Sequence, residues 1–429
     1  MNGVEGYFHL LAELAAKTCE GRQNYLLFSV VNVELGIEDV VGSLRKAWVM
    51  MRHSQPHLAT FVQDDKFVYE TPGTSGLAKW LNATFVVADE NNAQELAQHV
   101  KPIRQATLYY LPKSSELVLR CSHHLMDGIG TLMFWHCFFT AVANPQEVAF
   151  GDEKTRLPPT LERVLGFPET PRQDHRDRAN EIFTEWASNI PAIGVPNSAG
   201  EAPSKQAQRA GFKFSQQTTT SLVQVCKQRG VSVTAAVHAA LIRCLMKYAD
   251  PTVKQSEYRS VGQFNLQNYL PAPYNSTDYA VSTYFCSFPY NIDLPAPFWE
   301  LAKDLGDYYK TTFKTDPELL EIGCELMRTL YNAFQLPEVQ NSPISKDPLF
   351  SSLGIVENHL QRTYGGSITV REFLFSGDCV AGMSAMFIYT FCDQLRLVSC
   401  FNDGFQNPCD IQTYAQEIQN ILIDELELK

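Results

Sequence analysis

The sequence predicts a mixed α+β protein of two domains, and three observations carry that reading. Its 429 residues exceed what one ordinary hydrophobic core organises. Runs of period two and runs of period 3.6 are intermixed along the chain without strict βαβ alternation, which favours mixed sheets flanked by helices. Between about residues 145 and 210 the composition turns to Pro, Gly, Glu, Arg and Ser, as in GDEKTRLPPT and PNSAGEAPSKQ, the mark of a crossover. The expected organisation is an N-terminal domain over 1–145, a crossover linker over 146–210 and a C-terminal domain over 211–429.

Hydrophobic residues make up 45% and charged residues 19%, the balance of a globular enzyme. The formal net charge of -12, with no basic run, argues against nucleic acid and against an anionic membrane surface as partners. The opening MNGVEGYFHLLAELAAKTCEGRQ has no charged n-region, apolar run and small-residue cleavage site, and no segment approaches the length of an apolar membrane span. The expectation is a cytoplasmic protein. Eleven cysteines without a CxxC pair fit reduced, mostly buried thiols better than a disulfide frame or a zinc site.

In chain order, residues 37–52 place Val40, Val41, Leu44, Ala47, Trp48 and Met51 at helical spacing behind Glu38 and Asp39. LATFVQDDKFVYE reads as a hairpin turning at Asp64-Asp65, and 107–123 as a second hairpin turning at Pro112–Ser115. In the return strand Leu117, Leu119, Cys121 and His123 share one face by alternation, so a core-facing row ends in a histidine. IGTLMFWHCFFTAV reads as a buried helix, with a short helix near 176–188 inside the crossover. The second half opens with a helix near 216–229 stopped at Gly230, then one from an N-cap at Ser232 to Tyr248. Strands are expected at 279–292, 366–375, 384–392 and 395–401, and Ile411, Tyr414, Ile418, Ile421 and Leu422 mark a final helix.

The chemistry-bearing motif is His123-His124-Leu125-Met126-Asp127-Gly128. A histidine at a strand end with Asp four residues on presents an imidazole to a cleft while the turn is held from behind. Imidazole suits proton abstraction because its ordinary pKa of about 6.5 leaves it neutral and basic near neutrality. The same pattern also fits a core histidine beside a turn aspartate, so alone it is weak. A metal reading of His123, His124, Asp127 and His136 is poorer, because adjacent histidines on a strand face opposite ways. Asn402-Asp403-Gly404 is a turn, and His238 and His359 read as structural. No GxSxG, P-loop or strand-GxGxxG-helix fingerprint is present.

Context sharpens the motif. HHLMDG, together with LRKAWVMMRHSQPHLATF, GVSVTAAVHAALIRCL, VGQFNLQNYLPAP, PLFSSLGIVENHL and YTFCDQLRLVSCFNDGFQN, resembles over nearly the whole chain the chloramphenicol acetyltransferase-like superfamily. That superfamily includes BAHD acyltransferases, nonribosomal peptide condensation domains and fungal trichothecene and alcohol acetyltransferases, and the chain looks most similar to stand-alone fungal enzymes of secondary metabolism. The resemblance implies two chloramphenicol acetyltransferase-like domains with a tunnel between them and His123 at its middle. It selects His123, four residues before Asp127, as general base, with His124 and Gly128 as supporting motif positions. Asp127 becomes a structural brace, held in the family by an arginine of the second domain. Gln267 stands where that arginine is expected, so the brace is weaker or comes from elsewhere, with Arg259 one candidate. The DFGWG signature of plant members is absent. Ser351 and Ser352 in PLFSSLG resemble the strand opposite the histidine, where a hydroxyl can serve an oxyanion, although adjacent serines also bond local backbone.

The implied activity is transfer of an acyl group from acyl-CoA to a hydroxyl or amine of a small, largely apolar metabolite. Acyl-CoA is then a co-substrate, and no permanent cofactor or metal is required. Lys205 and Arg209, near the crossover, are the expected cationic contacts for the CoA phosphates. One rival takes the acyl group from a carrier-protein arm, as condensation domains do. Another uses the same fold to bind a polyketide or terpenoid and guide cyclisation without acyl transfer.

Overall fold

The computed structural model describes residues 1, 3–188, 192–253, 257–316, 318–342, 346 and 348–427. Its strands are β1 (Leu26–Leu35), β2 (Phe61–Gln63), β3 (Lys66–Val68), β4 (Phe85–Val87), β5 (Thr107–Leu111), β6 (Glu116–Ser122), β7 (Ala207–Lys213), β8 (Glu257–Asn265), β9 (Phe285–Asp293), β10 (Leu349–Ile355), β11 (Thr363–Tyr364), β12 (Ile368–Asp378), β13 (Ala385–Phe391) and β14 (Gln394–Asn402). They form a six-stranded sheet in the order β11-β12-β1-β6-β5-β4 and a four-stranded sheet in the order β10-β13-β14-β7, with β2-β3 and β8-β9 as separate hairpins. Each large sheet mixes one parallel pair, β4-β5 or β10-β13, with antiparallel pairs. The architecture is the mixed α+β fold that the periodicities predict.

The expected hairpins form where the turn chemistry puts them. Asp64 and Asp65 both take positive φ, the left-handed pair that suits a two-residue hairpin turn. The helix expected over 37–52 runs Val40–Ser54, because Asp39 leaves the helix and accepts the Gly42 N–H at 2.9 Å. Ser232 likewise caps Val233–Lys247 by accepting the Ala235 N–H at 3.1 Å. The short helix of the crossover is Gln173–Ala187, and residues 189–191 of that stretch lie outside the described residues.

Each sheet carries its own core. The first gathers Trp48, Leu117, Leu119, Phe134, Trp135 and Phe138, so the helices Val40–Ser54 and Gly128–Ala143 are buried on the six-stranded sheet. The second gathers the helix Val233–Lys247, Phe298 and Leu301 of the helix Phe298–Thr315, and Ile418 and Leu422 of the helix Pro408–Glu425. Two features cross between them. The late strand β12 pairs with β1 along its length and so places C-terminal chain in the first sheet. The Tyr389 hydroxyl on β13 then joins the sheets, accepting the Phe375 N–H at 3.3 Å and donating to the Phe373 carbonyl at 3.2 Å.

Among the described residues no single helix is long and apolar enough to cross a membrane; one bent pair, Gln216–Gln228 with Val233–Lys247, passes by length and composition. The second helix of that pair is core of the second sheet.

Candidate active site

The six-stranded sheet delivers the motif. Along β6, Leu117, Leu119 and Cys121 are fully buried, and the next position on their face is His123, where the strand has ended. The chain turns there, closed by the Leu125 N–H on the Ser122 carbonyl at 3.0 Å. The half-buried His123 ring lies flat on Phe8, with centroids 4.1 Å apart and planes 8° apart, and meets Phe285 at 5.3 Å. Phe8 comes from a helix, Gly3–Thr18, and Phe285 opens β9. Nδ1 is buried with no other residue to bond it, which leaves Nε2 as the nitrogen open to a substrate.

Removal from water pushes the His123 pKa down to about 4; contact of the ring with its own backbone opposes the shift. The imidazole is therefore neutral through the physiological range. His124 faces other surroundings, His9 at 5.3 Å and Phe67 at 5.6 Å. Burial, and then the neighbouring His9, His57 and His123, hold its pKa well below the ordinary value, so it too is neutral.

Asp127 is 4% exposed and caps the motif helix: Oδ1 accepts the Gly130 N–H at 2.7 Å and Oδ2 accepts the Tyr284 N–H at 2.9 Å. Burial raises its pKa to about 6 against the bonds from the Gly130, Tyr284 and Ile129 amides, which act the other way. The bond from Tyr284 belongs to a clamp. Ser282 accepts the Asp127 N–H at 3.2 Å, and the Thr283 hydroxyl donates to the His124 carbonyl at 3.1 Å. Gln55 holds the clamp in place, accepting the Val281 N–H at 3.2 Å and donating to the Thr277 and Asp278 carbonyls.

This geometry corrects the expected brace. Arg259 is committed to Glu257 Oε2 at 2.8 Å and to the Glu185 carbonyl, so it does not serve Asp127. Gln267 is buried on the neighbouring loop with its Nε2 unbonded, while its backbone N–H bonds Asn265. Backbone amides of a crossing segment do the work expected of a side chain, and no residue-type signal marks them. Gly128 has a steric reason: a Cβ there would lie 2.6 Å from Leu353 Cδ2 on β10 and 3.6 Å from Phe375.

That contact brings the second sheet against the motif and locates the serines. Ser352 is engaged with Thr234 through their hydroxyls at 3.0 Å, whereas the half-buried Ser351 hydroxyl has no protein partner among the described residues. The structure thus separates two serines that the sequence leaves equivalent. Arg209 is corrected as a phosphate contact. Its guanidinium bonds Ser376 at 2.7 Å, pairs with the Asp378 carboxylate and covers Phe28 at 4.1 Å, an engaged staple between the sheets. Lys205 is exposed, and only its backbone is tied, to the Asn402 side chain. Among the described residues no group of three or more His, Cys, Asp or Glu has the geometry to hold a metal ion.

With fold and site in place, the chain can be set beside known proteins. No protein-family model matches it. An O-acetyltransferase, pigM, of Monascus ruber is 29% identical over 423 residues, spanning 95% of this chain and 82% of that protein. The structure of the TRI3 trichothecene 15-O-acetyltransferase from Fusarium sporotrichioides superposes with a TM-score of 0.83 at 16% identity, over 99% of this chain and 94% of that one. The first condensation domain of the CDA synthetase superposes at 0.66 and 13% identity, over 99% and 96%. The fold is that of the chloramphenicol acetyltransferase-like superfamily, in which condensation domains share the architecture. In sequence the chain is similar to a fungal O-acetyltransferase, and in fold to a fungal trichothecene acetyltransferase and to condensation domains.

Proposed function

We propose that the protein transfers an acyl group from acyl-CoA to a hydroxyl or amine of a small, largely apolar secondary metabolite, with His123 as general base. The observation that carries this is a neutral imidazole with Nε2 open, on a turn fastened from behind by Asp127 and the 281–284 clamp. Nε2 takes the acceptor proton as the acceptor oxygen or nitrogen attacks the thioester carbonyl. The imidazolium then returns the proton to the leaving thiolate. A pKa near 4 makes the resting ring a weak base. The developing oxyanion compensates, because it places negative charge beside the imidazolium in a dry site where opposite charges attract strongly. The free hydroxyl of Ser351 is the donor we assign to that oxyanion. No acyl-enzyme and no metal is needed, and holding both substrates at one base supplies much of the acceleration.

On this reading the acceptor reaches His123 along a tunnel between two domains, expected as 1–145 and 211–429 joined by 146–210, with β12 crossing into the first sheet. For the CoA phosphates the reading keeps Lys205 and drops Arg209. Arg22 donates to the Ser204 carbonyl at 3.0 Å, and Gln23, next to it, exchanges two hydrogen bonds with Ile103. Those bonds bring Arg22 and Arg104 toward Lys205, a cationic corner in an acidic chain. Lys205→Glu should raise KM for the CoA ester and spare a pantetheine thioester, which lacks the phosphates. Equal loss with both donors sinks this assignment. The likeness to a condensation domain favours one second reading, a carrier-protein donor. A single-turnover comparison of acyl-CoA with acyl-carrier protein tests it, and activity with the carrier alone puts that reading first. The cytosol is the compartment we propose, since CoA esters are supplied there.

A further inference from the structure

We infer that Phe8 is a positioning residue for His123: the N-terminal helix Gly3–Thr18 lays the phenyl ring flat against one face of the imidazole, fixing the ring plane and excluding water from it. The inference rests on the reading of His123 as base and adds to it a residue outside the motif. In many histidine sites a carboxylate or carbonyl on the second nitrogen sets the ring's orientation. Here Nδ1 is buried and no other residue bonds it; the one hydrogen bond bearing on the ring is to its own backbone, so no neighbouring group sets the ring plane by hydrogen bonding. What remains is ring packing, a near-parallel stack at 4.1 Å and 8° on one side and Phe285 at 5.3 Å.

The helix is itself well held. Phe8 is 9% exposed and packs edge-on to Tyr25 at 5.8 Å and against Phe285 at 5.9 Å. One residue earlier, Tyr7 meets Phe334 at 5.6 Å, next to the helix Glu318–Ala333 on which the N-terminal helix packs. The stack therefore belongs to an element anchored in the second half of the chain. Its effect on the base has two opposing parts. A phenyl face attracts an imidazolium by about 0.5–2 kcal/mol. Loss of hydration disfavours the same cation by more, since the ring ends with a lowered pKa whose first cause is burial. The titratable groups near it are His9 and Glu5 on the helix, and His124 and Asp127 on the motif loop, with His57 beyond His124; none of these is a cation at neutral pH that competes with burial.

The test uses full-length Phe8→Leu and Phe8→Trp with two readouts. In the first, kcat/KM is measured against pH. Phe8→Leu should lower kcat roughly 10- to 100-fold, leave KM for the donor within about threefold, and move the acidic limb upward toward the ordinary imidazole value, while Phe8→Trp restores most of kcat. The second is NMR titration of the His123 ring, which requires no activity. Its midpoint should rise in Phe8→Leu and stay low in Phe8→Trp. A Phe8→Leu protein with unmoved titration midpoint and full kcat overturns the inference, as does one that only melts earlier. If His123→Ala keeps its activity while the NMR midpoint still moves, the general-base reading fails and the stacking role stands.

Discussion

The backbone N–H of Tyr284 donates to Oδ2 of Asp127 at 2.9 Å across 157 residues of sequence. That bond ties the loop bearing the motif to chain from the other half. It also makes the Asp127 carboxylate an acceptor at both oxygens, since the Gly130 N–H takes Oδ1. Asparagine offers one acceptor oxygen and turns an amide donor toward the other N–H. Asp127→Asn should therefore lose about 1–3 kcal/mol of stability by leaving a buried N–H unbonded, and activity should fall with it. The checks are thermal melting and a pH-rate profile. A displaced pH limb with unchanged melting would show that Asp127 exchanges protons in the reaction instead of bracing the loop.

Gly128 is predicted to be required for room alone. Gly128→Ala sets a methyl against Leu353 Cδ2 and should cost about 1–3 kcal/mol by overpacking. Adding Leu353→Ala should return part of that loss. A double-mutant cycle in melting free energy reads the coupling, and simple additivity of the two losses would contradict the contact.

Glu5, on the N-terminal helix, is 8% exposed beside Glu162; burial first, and then the Glu162 charge, raise its pKa to about 8. A carboxyl whose folded pKa lies above its unfolded value gives stability that is full below the unfolded value near 4.5 and is lost as pH rises toward 8. Glu5→Gln keeps the shape and does not ionise. Relative to wild type it should gain on the order of 2–4 kcal/mol between pH 4.5 and 8.5. Parallel stability curves would show that Glu5 does not titrate in this range.

His124→Ala should spare turnover to within about tenfold, because its ring packs on His9 and Phe67 and not on the stack around His123. Its cost should appear in melting, through the space it leaves. Steady-state kinetics beside the same measurement on His123→Ala decide the register. Reversed effects would mean that the turn presents the other ring.

How much of this was legible follows from the range of each interaction. The hairpin at Asp64-Asp65, the Ser232 cap and the face ending at His123 are set by neighbours within a few residues, and the sequence shows them. The N-terminal helix left a local trace that was missed, Val4, Phe8, Ala12 and Ala15 at helical spacing and all buried. Its contact with His123 left none, because stacking between residues 115 positions apart has no periodic sign. The clamp was hidden for another reason. Its bonds to Asp127 run through the backbone of Ser282 and Tyr284, and a backbone amide is the same in every sequence. Arg209 misled because a lone basic residue near a crossover reads as free until the partner, Asp378, comes from the distant strand β12.

The central claim is that His123 moves the acceptor proton during acyl transfer from a CoA thioester. Its most direct test is single-turnover acyl transfer with acetyl-CoA and an acceptor that wild type acylates, following free thiol and acylated product together in wild type and His123→Ala. We expect thiol and product to appear in step in wild type, and both rates to fall by roughly two to four orders of magnitude in a variant that melts normally. A folded His123→Ala protein that keeps most of the wild-type rate contradicts the account.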